Sequence, residues 1–401
     1  MKREYAPLIM LAGAVLVLLS PTLFTGSTYF LRDLTYIFHP WKTVAAELLQ
    51  KGEMPLWNPY VYCGMPFLAN WQTAVFYPLS LPFYFFSFVT ALKLFQTAHL
   101  LVAGIFAYLW SRSIGLHRWS SAGVMAVWVF NGYLITRLEF LSHCGVDVWL
   151  FAAMLFSCNP VILAMTLSIA FFAGHYLIVV VAAVVFMYRL SQRSRAQRDS
   201  MTFWLLSGSV FAGIIACQMV PTVELMMHTE RVKEGLTAAV AMTNEISVSD
   251  ILHVINPLLS VSSVPALAGE KFSWVTSFHV GICAFLCIML ACMRPLKWRL
   301  MVFSVALFVT GIVLALGDHT GVYPWLYRTV PFLSSIRYPA QFLIVTVLAG
   351  AIMTGIGLQR LRAAKYIVSI MALELILTAW GFQITVGQSF FHVASPLVQY
   401  L

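Results

Sequence analysis

Apolar residues in this chain come in blocks instead of alternating with polar ones. Several blocks approach the ~20 residues an α-helix needs to cross a bilayer's hydrocarbon core. The pattern predicts about eleven spans, at roughly 7–24, 92–110, 119–135, 145–157, 161–173, 176–190, 202–220, 275–293, 300–317, 341–358 and 366–383. Between the first two lies a polar-aromatic segment, about 25–75, in which Leu34, Ile37, Trp41, Val44 and Leu48 recur at helical spacing. His39, Lys42, Glu47 and Gln50 fall mostly on the other side, the pattern of an amphipathic helix lying along a membrane surface. Residues 76–90 are aromatic and broken by Pro78 and Pro82, and read as an interfacial or re-entrant piece. Other long connections are expected at about 221–274 and 318–340. The predicted architecture is an all-α polytopic membrane protein, with residues 1–401 forming a single transmembrane domain.

Composition agrees. Of 401 residues, 61% are hydrophobic and 10% are charged, against about 25% charged in ordinary soluble domains. The spans must be helices, because lipid offers no partner to a free backbone N–H or C=O. The net charge of +9 is a topology signal, with cations clustered at Lys2–Arg3, Arg112–Arg118, Arg189–Arg198, Arg294–Arg299 and Arg360–Lys365. If those clusters face the cytoplasm, more than half of the 24 Lys and Arg are inside, with only Glu4 and Asp199 of the 15 acids. The N-terminus is then inside, the C-terminus outside, and the long loops face outward from a cytoplasmic membrane. No basic domain or tail argues for nucleic acid. Residues 7–24 follow a basic flank but lack a small-x-small cleavage site, so they are kept as the first span rather than a signal peptide. The seven cysteines show no metal spacing. Cys283, Cys287 and Cys292 read as packing residues, and Cys63 with Cys144 is a candidate disulfide on the outer side.

The first outer loop carries the most chemistry. Asp33 falls just past a span, at headgroup level, where it can meet a lipid phosphate without entering hydrocarbon. Trp57 and Asn58 lie in a Pro-Leu-Trp-Asn-Pro turn whose rings suit a lipid interface or a sugar face; an ordinary loop acid beside an aromatic belt is the plainer reading. His175 follows Gly174 at an outer span end, where helix capping or packing competes with a substrate role. Glu139 and His143 are four apart and would share a helix face; one His and one Glu make a poor metal site. Glu224 follows Pro221 near an outer helix end. Asp318 and His319 terminate a span. Glu374 is a mid-span carboxylate, costly unless it faces the bundle or a wet cavity, and a structural partner is expected for it.

The segments "FLRDLTYIFHP" (30–40), "GEMPLWNPYVYCGMPF" (52–67) and "FYPLSLPF" (76–83) resemble the opening of the bacterial YfhO-type membrane proteins. Those belong to the GT-C superfamily of polyprenyl-phosphate-sugar-dependent glycosyltransferases. "FFAGHY" (171–176) is similar to the family's Gly-His turn, and "CQMVPTVELMMHTER" (217–231) to its Gln-x-x-Pro-x-x-Glu segment. "LGDHTGVYPWLYRTVPFLSSIRYPAQFL" (316–343) resembles its late outer loop. The order matches over nearly the whole chain. Two departures stand out. The family pattern usually has a second Arg after the proline, where this chain has Gln341, and many relatives continue into a soluble outer domain, whereas this sequence stops at "HVASPLVQYL". Acceptor selection is therefore expected to differ or to depend on a partner.

The resemblance implies a GT-C-like fold and an outer-face transfer from a polyprenyl-phosphate-linked sugar donor to an envelope glycan acceptor. It makes Asp33 the base that deprotonates the acceptor hydroxyl, with inversion at the anomeric carbon. The leaving phosphate wants a guanidinium, supplied by Arg337 or Arg32, with Arg337 preferred. His175, Trp57, Asn58, Glu224 and Glu139 complete the candidate substrate set. Carboxylates beside a phosphate would suit Mg²⁺ or Mn²⁺, though nothing in the sequence demands a metal. A transporter or flippase is the competing reading; it would place its key ionisable groups near the midplane, where only Glu374 fits. A non-catalytic partner of another envelope enzyme is a third.

Overall fold

In the computed structural model, residues 4–29, 33–192, 201–229, 237–255, 277–293, 296–330, 336–381 and 385–387 are described. Arg32, the cluster Arg193–Arg198, Arg294 and the centre of the 221–274 loop lie outside them. The elements in chain order are α1 (Ala6–Leu18), β1 (Ser27–Tyr29), α2 (His39–Gln50), β2 (Trp57–Asn58), β3 (Met65–Pro66), α3 (Phe88–Ser113) and α4 (Arg118–Phe130). Then follow α5 (Leu141–Asp147), α6 (Leu150–Leu155), α7 (Pro160–Phe172), α8 (Ile178–Gln192) and α9 (Met201–Met227). The last are α10 (Ile282–Met293), α11 (Trp298–Ala315), α12 (Val322–Thr329), α13 (Leu343–Leu358), α14 (Ala364–Trp380) and β4 (Thr385–Gly387).

The protein is mainly helical. Among the described residues four helical runs are long and apolar enough to cross a membrane: Phe88–Ser113, Met201–Met227, Trp298–Ala315 and Pro339–Leu358. Shorter apolar helices cover Ala6–Leu18, Leu141–Leu155, Pro160–Phe172, Ile178–Gln192 and Ile282–Met293.

Helix α13 is the hub. Every one of its side chains is buried, and α4, α10 and α11 pack around it. Close approach requires small residues: a Cβ at Gly357 would collide with the Cys287 carbonyl of α10. By contrast α9 stays mostly exposed, as expected of a helix whose solvent is lipid.

Polar contacts define the two ends. At one end Arg112 pairs with Glu4 at 3.2 Å. There Lys297 Nζ donates to Ile114 O (2.7 Å), and the His117 N–H donates to Gln359 Oε1 (3.0 Å). Residues from the predicted inner clusters therefore meet one another. At the other end β1 pairs antiparallel with β4, and the long loops gather.

Several local expectations change. In the 76–110 region short turns at Pro78–Ser80 and Pro82–Phe85 precede one 26-residue helix, α3, Phe88–Ser113, longer at both ends than the predicted 92–110. Helix α9 runs through Pro221 to Met227, so the loop after it begins later than the sequence suggested. The amphipathic stretch is a π-turn, Leu34–Phe38, followed by α2. Within α2, Lys42 lies on the buried side rather than the polar one. Its Nζ donates to Thr73 O (2.8 Å) and Ser80 Oγ (2.9 Å), and those acceptors make the burial tolerable. Cys63 is exposed and Cys144 buried, and both are free thiols. Glu139 sits in the turn before α5, so it does not share a helical face with His143.

Glu374 finds its structural partner. Its Oε1 and Oε2 accept from the backbone N–H groups of Ile282 (2.5 Å) and Cys283 (3.1 Å). These head α10, whose first-turn donors have no intrahelical acceptor.

Candidate functional site

The turn after α7 is the natural starting point. Gly174 has φ +86°, and a Cβ there would strike the Trp71 carbonyl, so the turn needs glycine for its conformation and for the approach of the first loop. Trp71 donates its indole N–H to Phe171 O (2.6 Å) and stacks on the Phe171 ring with centroids 4.5 Å apart. Gln218 of α9 holds the same loop from another side, donating to Leu68 O (2.6 Å) and Thr222 Oγ1 (3.1 Å). Farther on, Tyr77 OH meets His99 Nε2 (2.8 Å) and donates to Gly145 O (3.3 Å), while Trp149 Nε1 donates to Tyr77 OH (3.0 Å). The late part of the first loop is thus bound to the end of the helices that carry His143 and His175.

His175 is 3% exposed. Its ring packs against His143 (centroids 3.4 Å) and Tyr176 (4.1 Å). Its Nδ1 accepts from the Leu177 N–H at 3.3 Å, which puts the proton on Nε2. Burial, and then the nearby Arg137 guanidinium, push its pKa down to about 3. His175 is therefore a neutral N–H donor at physiological pH, not a cation.

Arg137, in the turn ahead of α5, is wholly buried. Its guanidinium lies over the rings of Tyr133 (5.4 Å) and Phe140 (5.1 Å), a favourable placement for a desolvated cation. Glu139 and Asp147 are buried nearby in sequence.

Arg337 is half-buried and precedes α13. Its carbonyl accepts twice, from Tyr176 OH (3.2 Å) and from Gln341 Nε2 (2.8 Å). The next residue, Tyr338, has φ +67° and donates its N–H to Ala241 O (3.2 Å). A β-carbon residue in the left-handed region costs energy and persists only where its surroundings over-determine it. The network closes where Gln341 Nε2 also donates to Tyr176 OH, and Tyr133 OH donates to Gln341 O (3.2 Å). His175 and Arg337 are thus joined through Tyr176.

The remaining candidates are dispersed. Asp33 is half-buried at the head of the π-turn. It follows α1, and Arg337 precedes α13; the far ends of those helices lead to Glu4 and Gln359, so both candidates belong to the end opposite that pair. Asn58 is buried and its Oδ1 accepts from the Tyr60 N–H (3.0 Å), a turn-forming role within the β2–β3 hairpin. Trp57 is 53% exposed, with Gly64 packed under its ring. Glu224 is exposed on the last turns of α9.

Sequence reading missed Arg137, Tyr133, Tyr176 and Gln341 as a group. Tyr176 and Gln341 did fall inside motifs. Arg137 gave no signal beyond being a lone cation at a span end. Among the described residues no three His, Cys, Asp or Glu side chains gather to hold a metal.

No family model matches the sequence, and no curated protein matches it. Its fold is similar to that of the arabinofuranosyltransferase AftD from Mycobacteria, solved by single-particle cryo-EM, with TM-score 0.57 and 12% identity. The likeness covers 94% of this chain and 27% of that one; the chain spans about a quarter of AftD's length. At this identity the likeness concerns the fold.

Proposed function

We propose that the protein is a membrane glycosyltransferase that moves a sugar from a polyprenyl-phosphate carrier to an envelope glycan. In this reading the chain crosses a cytoplasmic membrane eleven times, N-terminus inside and C-terminus outside, and acts on the outer face. Asp33 takes the proton from the acceptor hydroxyl as that oxygen attacks the anomeric carbon. The bond from that carbon to the phosphate oxygen breaks on the opposite face, inverting the centre, and the phosphate departs with the electron pair. Arg337 and the Nε2–H of His175 stabilise its growing charge, with Arg32 a second guanidinium beside the base. Trp57 and Asn58 border the acceptor path, and Glu139 and Glu224 are secondary contacts.

One observation carries the reading. The first loop is clamped by Trp71 to the turn that bears His175, and that turn is tied through Tyr176 to Arg337. The likeness in fold to an arabinofuranosyltransferase supports it.

The test is transfer from radiolabelled undecaprenyl-phosphate sugars by the purified protein, beside Asp33→Asn. Wild type should consume at least one donor, and the variant should lose at least a hundredfold in turnover while still binding it, the range typical of a general base. Equal turnover by both would end the catalytic role. Unimpaired lipid movement in Asp33→Asn without any transfer would favour a flippase. Addition of a chelator checks Mg²⁺ or Mn²⁺ dependence in the same assay.

A further inference from the structure

Gln341 ties three elements together behind Arg337. It is 1% exposed, at the entry to α13. Its amide nitrogen donates to Arg337 O and to Tyr176 OH. The orientation of the amide follows from the network, because a carbonyl oxygen only accepts. Both amide hydrogens are therefore used inside the protein. The other end, Oε1, is buried and has no hydrogen-bond partner among the described residues. Arg337 Nε is likewise buried without one.

Unmet buried valences are costly, and each calls for a complement. The guanidinium Nε calls for an anion. Oε1 calls for a donor and would be repelled by a bare anion. A ligand hydroxyl would meet the demand of Oε1, and a phosphate that of the guanidinium.

We infer that Gln341 is a specificity-determining residue whose Oε1 accepts a hydrogen bond from a hydroxyl of the sugar whose phosphate lies at Arg337. The inference rests on the proposed function for the presence of a sugar phosphate, and not on the chemistry of Asp33. It distinguishes donors by the presence of one hydroxyl, a mode of selection strong in sites built around a buried hydrogen-bonding group.

The experiment is equilibrium binding to the full chain in nanodiscs. The probes are undecaprenyl phosphate, its glucose, galactose, arabinofuranose and N-acetylglucosamine conjugates, and phosphatidylglycerol, which also sets hydroxyls near a phosphate. At least one conjugate should bind about tenfold or more tighter than undecaprenyl phosphate. Gln341→Met should erase that ratio while leaving undecaprenyl phosphate affinity in place. In wild type, removing sugar hydroxyls one at a time should abolish the gain at a single position.

A ratio unchanged in Gln341→Met overturns the inference, as does a Gln341-dependent gain shared by phosphatidylglycerol, or no gain with any conjugate. If Gln341→Met fails to fold, retention of the gain by every monodeoxy conjugate overturns it instead. A Gln341-dependent gain without turnover would leave this inference standing and remove the transferase. Turnover with no such gain would do the reverse.

Discussion

Trp71 and Phe171, a hundred residues apart, form a stacked ring pair that also shares a 2.6 Å hydrogen bond from indole nitrogen to backbone oxygen. The pair fixes the first long loop to the turn of His175. It makes the loop's position a property of the helix bundle, together with the Gln218 donation to Leu68 O.

Breaking the pair should therefore loosen the loop more than the bundle. Trp71→Ala should cost about 3–5 kcal/mol of local stability. Gly174→Ala, which strains a left-handed turn and strikes Trp71 O, should cost about 1–3 kcal/mol. Limited proteolysis between residues 51 and 80 should accelerate in both variants. Unchanged cleavage rates would show that the loop is held elsewhere.

Glu374 should behave as a cap. Glu374→Ala leaves two first-turn N–H donors of α10 without their side-chain acceptor and should lower stability by about 1 kcal/mol, while Glu374→Gln, keeping one acceptor, should lose less. Melting in detergent is the measurement. Equal loss in both variants would point to the charge rather than the acceptors.

Lys42 should give the protein a rising stability in mild base. Burial pushes its ammonium down to about 7, whereas an unfolded lysine titrates near ~10.4. Between those values the unfolded chain holds a proton the folded one lacks, so stability rises with pH from about 7 to about 10 and is flat below. Lys42→Met should lack that slope. Melting curves of the two proteins at pH 6, 8 and 9.5 should diverge; a constant difference would mean that Lys42 titrates normally.

His175 should produce a second limb of the same sign, on the acid side. Its folded pKa of about 3 lies below the usual ~6.5, so the wild type should lose stability relative to His175→Asn as pH falls below about 6.5, with no change above. Any transfer activity should likewise show no titration of this imidazole between pH 5 and 8. A histidine limb in that interval, lost in His175→Asn, would make it a cation in the site.

Much of the architecture is legible in the sequence, because lipid forces apolar blocks into helices and leaves charge at their ends. The pairing of Arg112 with Glu4 and of Lys297 with the Ile114 carbonyl follows from charges that the sequence already places on one side. What it misjudged was local. Lys42 looked polar-faced because helical periodicity ranks a lysine by its charge, and only the carbonyl of Thr73 and the hydroxyl of Ser80, more than thirty residues on, make its burial cheap. Glu139 looked helical because spacing alone does not see the turn that ends at Phe140.

From the sequence by itself come the membrane class, and Asp33, His175 and Arg337 as isolated candidates. Only the tertiary structure joins His175 to Arg337 through Tyr176, buries Arg137 between aromatic rings, and turns Gln341 from a missing arginine into a buried acceptor. The reason is that hydropathy is a sum over neighbours in the chain, whereas a hydrogen bond such as Gln341 to Tyr176 depends on groups that only packing brings together.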